Sequence, residues 1–414
     1  MEARTKERTL GKTIKYSALT ILSTGLLVAP AMARVQWDAS AFGTLGVVIS
    51  DSYASYQRDI DNEGSFLRDS LIGGRIDVKF NNKWSATAQV MLAEALDEDN
   101  EIAPQLKWAL IAYRPSNDWL IRAGRMSLGG LLNQQNMDVG VSYDMLRLPS
   151  EVYVRSQLYD FDGLSIAKTW NTADYEITLD ASGGFQRRDY RCYDAGGDRT
   201  LFYDADVWGG ALVLTIADYD QKVLRLGWSY NHAKSDDPGF PDTINYAALP
   251  NGQYTVSSLF FTDTANFNTV FFGLRFPVSK FTVAAELQMI FPNGADSVPL
   301  TFNGYINLSR KFGPWTPYIT YAQMYSDDDS WNRLNGAVVV PGGLSQVDFN
   351  NLKSSMPYYD QQSVMIGTSY AFTPKQKLKG EVMFTHVGDR SALFDELISD
   401  ELVTVYSLAY CFMF

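Results

Sequence analysis

After residue 33 the chain contains no apolar run approaching the ~20 residues that a membrane helix needs. If it crosses a bilayer it does so as a closed sheet, because only helices and closed barrels satisfy every backbone group in lipid. Histidine is scarce: His232 and His386 stand alone, and neither lies in a nucleophile or metal motif. Hydrolytic chemistry needs a base placed against a nucleophile or an activated water, so neither catalysis nor a cofactor is expected. Positive charge is in deficit, with 35 Lys and Arg against 47 Asp and Glu. That argues against nucleic acid as a partner, since its recognition starts from a basic surface. Cysteine is limited to Cys192 and Cys411, whose expected places at opposite ends of a barrel leave two free thiols and no disulfide. The segment Asp59-Ile60-Asp61-Asn62-Glu63-Gly64 spaces oxygens as a calcium loop does, but Ser70 stands where the chelating glutamate belongs. A solvated acidic loop is expected there, and no metal.

What is present is sorted along the chain. Arg4, Lys6, Arg8, Lys12 and Lys15 precede an apolar run from Tyr16 to Ala29, which ends in Ala31-Met32-Ala33. Basic segment, short apolar core and small-residue site, in that order, predict a secretory signal peptide over residues 1–33 and a mature domain over 34–414. The five basic residues of the signal outnumber Glu2 and Glu7 by three, so the remainder stands near −15 against −12 for the whole chain. At the other end Tyr406, Leu408, Tyr410, Phe412 and Phe414 alternate with Ser407, Ala409, Cys411 and Met413. A strand sends alternate side chains to opposite faces, so one face of this segment is apolar and aromatic and fits lipid.

Segments of about ten residues with the same two-residue period recur near 40–49, 71–80, 84–95, 104–114, 118–126, 160–169, 175–185, 206–217, 222–232, 268–276, 280–291, 300–309, 315–325, 363–372, 377–387 and 402–414. They predict an all-β protein, a transmembrane antiparallel barrel of sixteen strands. Connections alternate between short turns such as Asn81-Asn82-Lys83 and long loops such as 50–70 and 326–362, an asymmetry that a soluble sandwich has no reason to keep. Trp84, Trp119, Trp170, Tyr175, Phe281, Trp315 and Phe372 sit where strands meet short turns, as interfacial girdles require. The face opposite the lipid is polar, with Arg75, Asp77 and Lys79 on one segment and Arg225, Glu286, Lys379 and Glu381 on others. Sixteen strands enclose room for water, so these charges are expected to line an aqueous lumen. The connection 127–159 is unusually apolar, and the barrel's own wall can cover it if it folds inward and narrows the channel. The alternative makes 139–146 and 151–159 an added hairpin and the barrel eighteen-stranded.

Short motifs, in their order along the chain, resemble the general porins of Gram-negative outer membranes. Ala41-Phe42-Gly43-Thr44-Leu45-Gly46 is similar to their opening strand, Gly74-Arg75-Ile76-Asp77-Val78-Lys79-Phe80 to their second hairpin, and Ala123-Gly124-Arg125 to the Gly-Arg before their inward loop. Asp162-Gly163-Leu164-Ser165 resembles the return of the barrel after that loop, while the Pro-Glu-Phe-Gly-Gly stretch of the family's loop is missing. The resemblance implies passive diffusion of ions and small hydrophilic solutes and a homotrimer. It also implies contact with outer-membrane lipids and lipopolysaccharide, and Tyr410, Phe412 and Phe414 as the signal read by barrel-assembly machinery. It places Arg75, Lys107, Arg125, Arg147 and Arg155 on the basic side of a constriction, with Asp138, Asp144 and Glu151 as acidic partners. A second expectation is a barrel plugged by its loops that serves in surface binding or anchoring.

Overall fold

The structure, a computed structural model, describes residues 35–127, 129–153, 160–194, 199–219, 222–235, 240–293, 298–327, 329–341 and 343–414. The expected signal segment 1–33 and Arg155 lie outside the described residues. In chain order the strands are β1 (Gln36–Ser50), β2 (Leu71–Lys79), β3 (Trp84–Glu94), β4 (Ile102–Tyr113), β5 (Trp119–Ser127), β6 (Asp160–Asn171), β7 (Tyr175–Asp194), β8 (Arg199–Asp218) and β9 (Val223–Ser235). They continue with β10 (Phe240–Ala248), β11 (Tyr254–Thr262), β12 (Thr264–Val278), β13 (Phe281–Asn293), β14 (Thr301–Ser309), β15 (Trp315–Ser326), β16 (Tyr359–Thr373), β17 (Gln376–Ser391) and β18 (Glu401–Met413). Among the described residues three short α-helices lie in loops: α1 (Ser150–Tyr153), α2 (Asp329–Gly336) and α3 (Gln346–Ser355).

β1 pairs with β2 along one edge and with β18 along the other, from Phe42↔Met413 to Ser50↔Val405, so the sheet closes and exposes no edge. The closed barrel holds sixteen antiparallel strands, and each of the sixteen expected segments overlaps one of them in order. Alternation explains why. On β14 the odd-numbered polar residues Thr301, Asn303 and Asn307 are buried inward, while Phe302, Ile306 and Leu308 are exposed on the outer wall. On β18 Leu402, Tyr406 and Leu408 face outward and Val403, Val405, Ala409 and Cys411 inward.

Two connections differ from expectation. β7 and β8 run for 20 residues each and stay paired out to Asp194↔Arg199, so the expected loop 186–205 is a projecting hairpin. A membrane crossing needs only about 9–11 residues, and beyond that depth the ladder continues without any demand for apolar outward residues. The signal read in the sequence therefore stopped before the strands did. The expected loop 233–267 contains the separate hairpin β10–β11, which packs Val256 against Leu334, Phe349, Leu352 and Met356 from α2, α3 and their flanks. The extra pair of strands thus lies outside the barrel; 139–146 forms no strand and 151–153 is helical, while the rest of the expected second strand, 154–159, lies outside the described residues.

The connection after β5 does turn into the lumen. Its Leu131, Met145, Leu148, Val152 and Tyr153 share one buried cluster with the inward residues Val213, Phe271, Tyr305, Tyr318, Met365, Met383 and Val405 of the wall. Each such apolar side chain removed from water contributes roughly 1.5–3 kcal/mol, which is why this loop lies against the wall instead of in solvent.

Candidate functional site

The inward loop is fixed by polar contacts as well as by packing. The Leu132 amide donates to Glu286 Oε1 at 2.6 Å, and the Tyr153 and Tyr305 hydroxyls donate to Glu286 Oε2 at 2.5 and 2.8 Å. Burial beside that carboxylate pushes the Tyr153 hydroxyl well above its ordinary pKa. Lys379 Nζ donates to the Gly140 and Met145 carbonyls, both at 2.7 Å, and lies over the Tyr143 ring. Tyr318 donates to Glu381 at 2.8 Å and receives the Leu146 amide at the same distance. The loop is therefore tied to β13, β14, β15 and β17 by buried hydrogen-bonded groups.

Several residues of the expected constriction take part in this tethering. Arg147 grips Asp69 through Nε at 2.9 Å and Nη2 at 2.5 Å; burial opposes its charge, but Asp69 raises the pKa of the guanidinium above its ordinary value. Asp144 pairs with Lys377 at 2.7 Å and accepts from Ser369 at 2.9 Å; burial pushes its carboxyl up, yet Lys377 holds it below the usual range. Glu151, fully buried on α1, accepts from Gln361 and Ser363 on β16. It is a tether of the loop and not an acidic pore partner, which corrects the expectation.

Arg75 is where the alternation put it, on the inner face of β2, paired with Asp77 at 2.6 Å and with its guanidinium 4.9 Å from the ring centre of Trp108. Lys107 sits at a bulge, where the register passes from Gln89↔Trp108 to Val90↔Leu106. It reaches Asp160 at 2.6 Å and Asp138 at 3.9 Å. Arg125 does not face the lumen. It lies on the same face of β5 as Ile121 and Ala123, whose partners Ile166 and Leu164 are exposed, and it pairs with Asp162 at 2.5 Å on that outer wall. The inward arginine of β5 is Arg122, which donates to Ser165 and Asp180 at 2.8 and 2.7 Å. The Gly-Arg likeness selected the position of wrong parity, and strand period alone would have chosen Arg122.

Along the short-turn end, Trp315, Tyr370, Phe372, Tyr410, Phe412 and Phe414 form a continuous chain of rings with centroids 4.7–6.4 Å apart. Further round, Lys168 lies over Trp119 and Trp170 and Arg310 over Phe281 and Phe312, the amphipathic pairing that suits a headgroup boundary. At the opposite end the first and last loops meet through Tyr56 and Phe394, and Arg191 joins Asp99 to Asp395. There Asp59 comes within reach of Glu94 and Asp99, and burial together with Glu94 pushes its carboxyl up to about 7. The two histidines lie at strand rims: His232 lies tilted against Trp208, 5.1 Å between ring centres, and meets Asn266, while His386 lies beside Asp400.

Sixteen closed strands, an outward apolar wall bounded by rings and one loop folded inside decide the class. The chain has the fold of the outer-membrane porins. No family model matches the sequence, and no curated protein matches it. Among solved structures, OprB of Pseudomonas putida is similar with a TM-score of 0.53 at 9% identity, over 91% of this chain and 94% of that one. DcaP, an outer-membrane channel of Acinetobacter baumannii, gives 0.51 at 10% identity, over 92% and 99%. The trimer form of OmpT, an outer-membrane protein of Vibrio cholerae, gives 0.50 at 9%, again over 92% and 99%. The porin fold thus extends over nearly the whole chain without sequence similarity.

Proposed function

We propose that this porin-fold chain is a water-filled outer-membrane channel for passive diffusion of ions and small hydrophilic solutes, without catalysis or a cofactor. The observation that supports it is the state of the inner wall away from the loop: the side chains of Arg75 and Asp77 keep 34% and 40% of their surface exposed, inside a closed barrel. Charged groups hydrated in that position require water in the lumen, since burial without it would cost several kcal/mol per ion. Selectivity then follows from fixed charge and width at the loop. Residues 1–33 serve as the export signal, Tyr410, Phe412 and Phe414 as the assembly signal, and the chain works as a homotrimer among outer-membrane lipids and lipopolysaccharide.

The contact of the first and last loops through Tyr56 and Phe394 favours one other reading, a barrel closed at its long-loop mouth and used for surface binding. Planar-bilayer recording on the purified protein separates the two. Steady ohmic steps are expected; a folded, heat-modifiable protein that gives none would leave the closed barrel in place of the channel.

A further inference from the structure

Most lumen-facing cations described above are matched by a carboxylate: Arg75 by Asp77, Arg122 by Asp180, Lys107 by Asp160, Arg147 by Asp69 and Lys377 by Asp144. Arg225 on β9 and Arg275 on β12 form no ion pair among the described residues, although Glu286, which faces Arg225 across Gly273, and Asp180 favour the charge of Arg225 from further away. Arg225 is opposite Gly273 and Arg275 opposite Val223, which makes the two arginines diagonal neighbours on the inner face of adjacent antiparallel strands. Long side chains in that relation reach each other, and like charges there repel. Both are half-buried.

Among the described residues their acceptors are neutral. Arg225 donates through Nε to Thr215 Oγ1 at 3.2 Å and through Nη1 to the Leu131 carbonyl at 2.6 Å, and Arg275 donates through Nη2 to Asn133 Oδ1 at 3.1 Å. The carboxylates on flanking strands are committed elsewhere, Glu286 to Leu132, Tyr153 and Tyr305, and Asp180 to Arg122 and Ser165. A guanidinium presents five N–H donors in a planar fork, so the anchoring of Leu131 and Asn133 leaves donors of both groups uncommitted. Two such forks side by side at the foot of the inward loop match the oxygens of a carboxylate or phosphate.

We propose that Arg225 and Arg275 form an oxyanion-binding subsite in the lumen, one that biases the channel toward small carboxylate- or phosphate-bearing solutes. The bias rests on the channel function proposed above; the binding itself needs only water access to the inner wall. It relocates the selectivity-determining charge from Arg75 and Lys107, which are neutralised, to a pair the family likeness did not indicate.

The test uses the full chain in detergent and in planar bilayers, with inorganic phosphate as the probe. Titration calorimetry at low ionic strength is expected to show phosphate binding by the native protein and at least tenfold weaker binding by R225Q/R275Q. In a salt gradient the same variant is expected to move the reversal potential toward cations, whereas R75Q moves it less. R225K/R275K keeps the charge without the fork, so it should retain ion preference while binding phosphate more weakly; it also serves if the glutamine variant fails to fold. Phosphate binding lost in R225Q/R275Q by a protein that conducts no current would uphold the subsite and refute the channel. Native protein that conducts but binds no phosphate, or a folded R225Q/R275Q that binds it as well, overturns the subsite alone.

Discussion

The two sides of this barrel carry the same kinds of inward residue and use them in opposite ways. On β2 the inward pair Arg75 and Asp77 remains substantially exposed, while on β13, β16 and β17 the inward Glu286, Ser363, Thr385 and Lys379 are 0% exposed beneath the loop. An ion pair in water gains little, because solvent screens it and its side chains lose freedom. A buried carboxylate is stable only when its lone pairs are satisfied, and Glu286 has three donors for that purpose. Polarity on an inner wall therefore means hydration on one side and a latch on the other.

The strongest test of that contrast removes one carboxylate from each side. Glu286→Ala removes the carboxylate to which the Tyr153 and Tyr305 hydroxyls and the Leu132 amide donate, at about 1–3 kcal/mol for each buried donor left unsatisfied. The expected outcome is a large drop in thermal midpoint together with larger, noisier single-channel currents as the loop loosens. Asp77→Ala on the open side should cost about 0–1 kcal/mol and leave current noise unchanged. Equal losses at the two sites would mean that the sides are not physically distinct.

A second comparison pits Lys107 against Arg75, since the family likeness gave them one role. Lys107 is 9% exposed and holds Asp160 and Asp138, so Lys107→Glu gathers three carboxylates and should cost about 3–5 kcal/mol, the range for breaking a buried pair. Arg75→Glu lies in hydrated wall and should leave the thermal midpoint nearly unchanged while shifting the reversal potential modestly toward cations. Calorimetry and bilayer recording on the same two preparations decide it; a destabilised Arg75→Glu variant with a stable Lys107→Glu would invert the assignment.

How much of this was legible in the sequence follows from what a two-residue period can encode. It fixes which face a residue takes, so the sixteen strands, the inward Arg75 and the outward Leu408 could be read directly. It does not encode what covers that face. Lys379 and Arg75 occupy equivalent positions in the pattern, and only the course of the loop makes one a latch and the other a lining residue. Asp69, which holds Arg147, lies in a loop where no period applies, and Asp160, which holds Lys107, is the first residue of β6, where the alternation has only begun. The motif likeness failed at Arg125 because it carried a position across without its parity, and parity was the better guide.

The smallest effect expected tests the loop in acid. Asp144 has a depressed carboxyl pKa because Lys377 outweighs the effect of burial. A group of this kind contributes stability above its unfolded pKa of about 3.9 and loses it as pH falls through the still lower folded value. The tether is thus intact at neutral pH and released only below about pH 4. Its worth is limited, because the Asp144 side chain is 39% exposed and the pair is partly screened; about 1 kcal/mol is the expected scale. Hydrogen exchange at residues 140–146 in Asp144→Asn should be faster than in the native protein at pH 7, and the difference between the two should vanish as acid protonates the native carboxyl. A difference that persisted undiminished after the native carboxyl is protonated would show that Asp144 acts through its shape and its bond to Ser369, not through its charge, and the packed side would then owe its hold on this part of the loop to Lys379 and Tyr318.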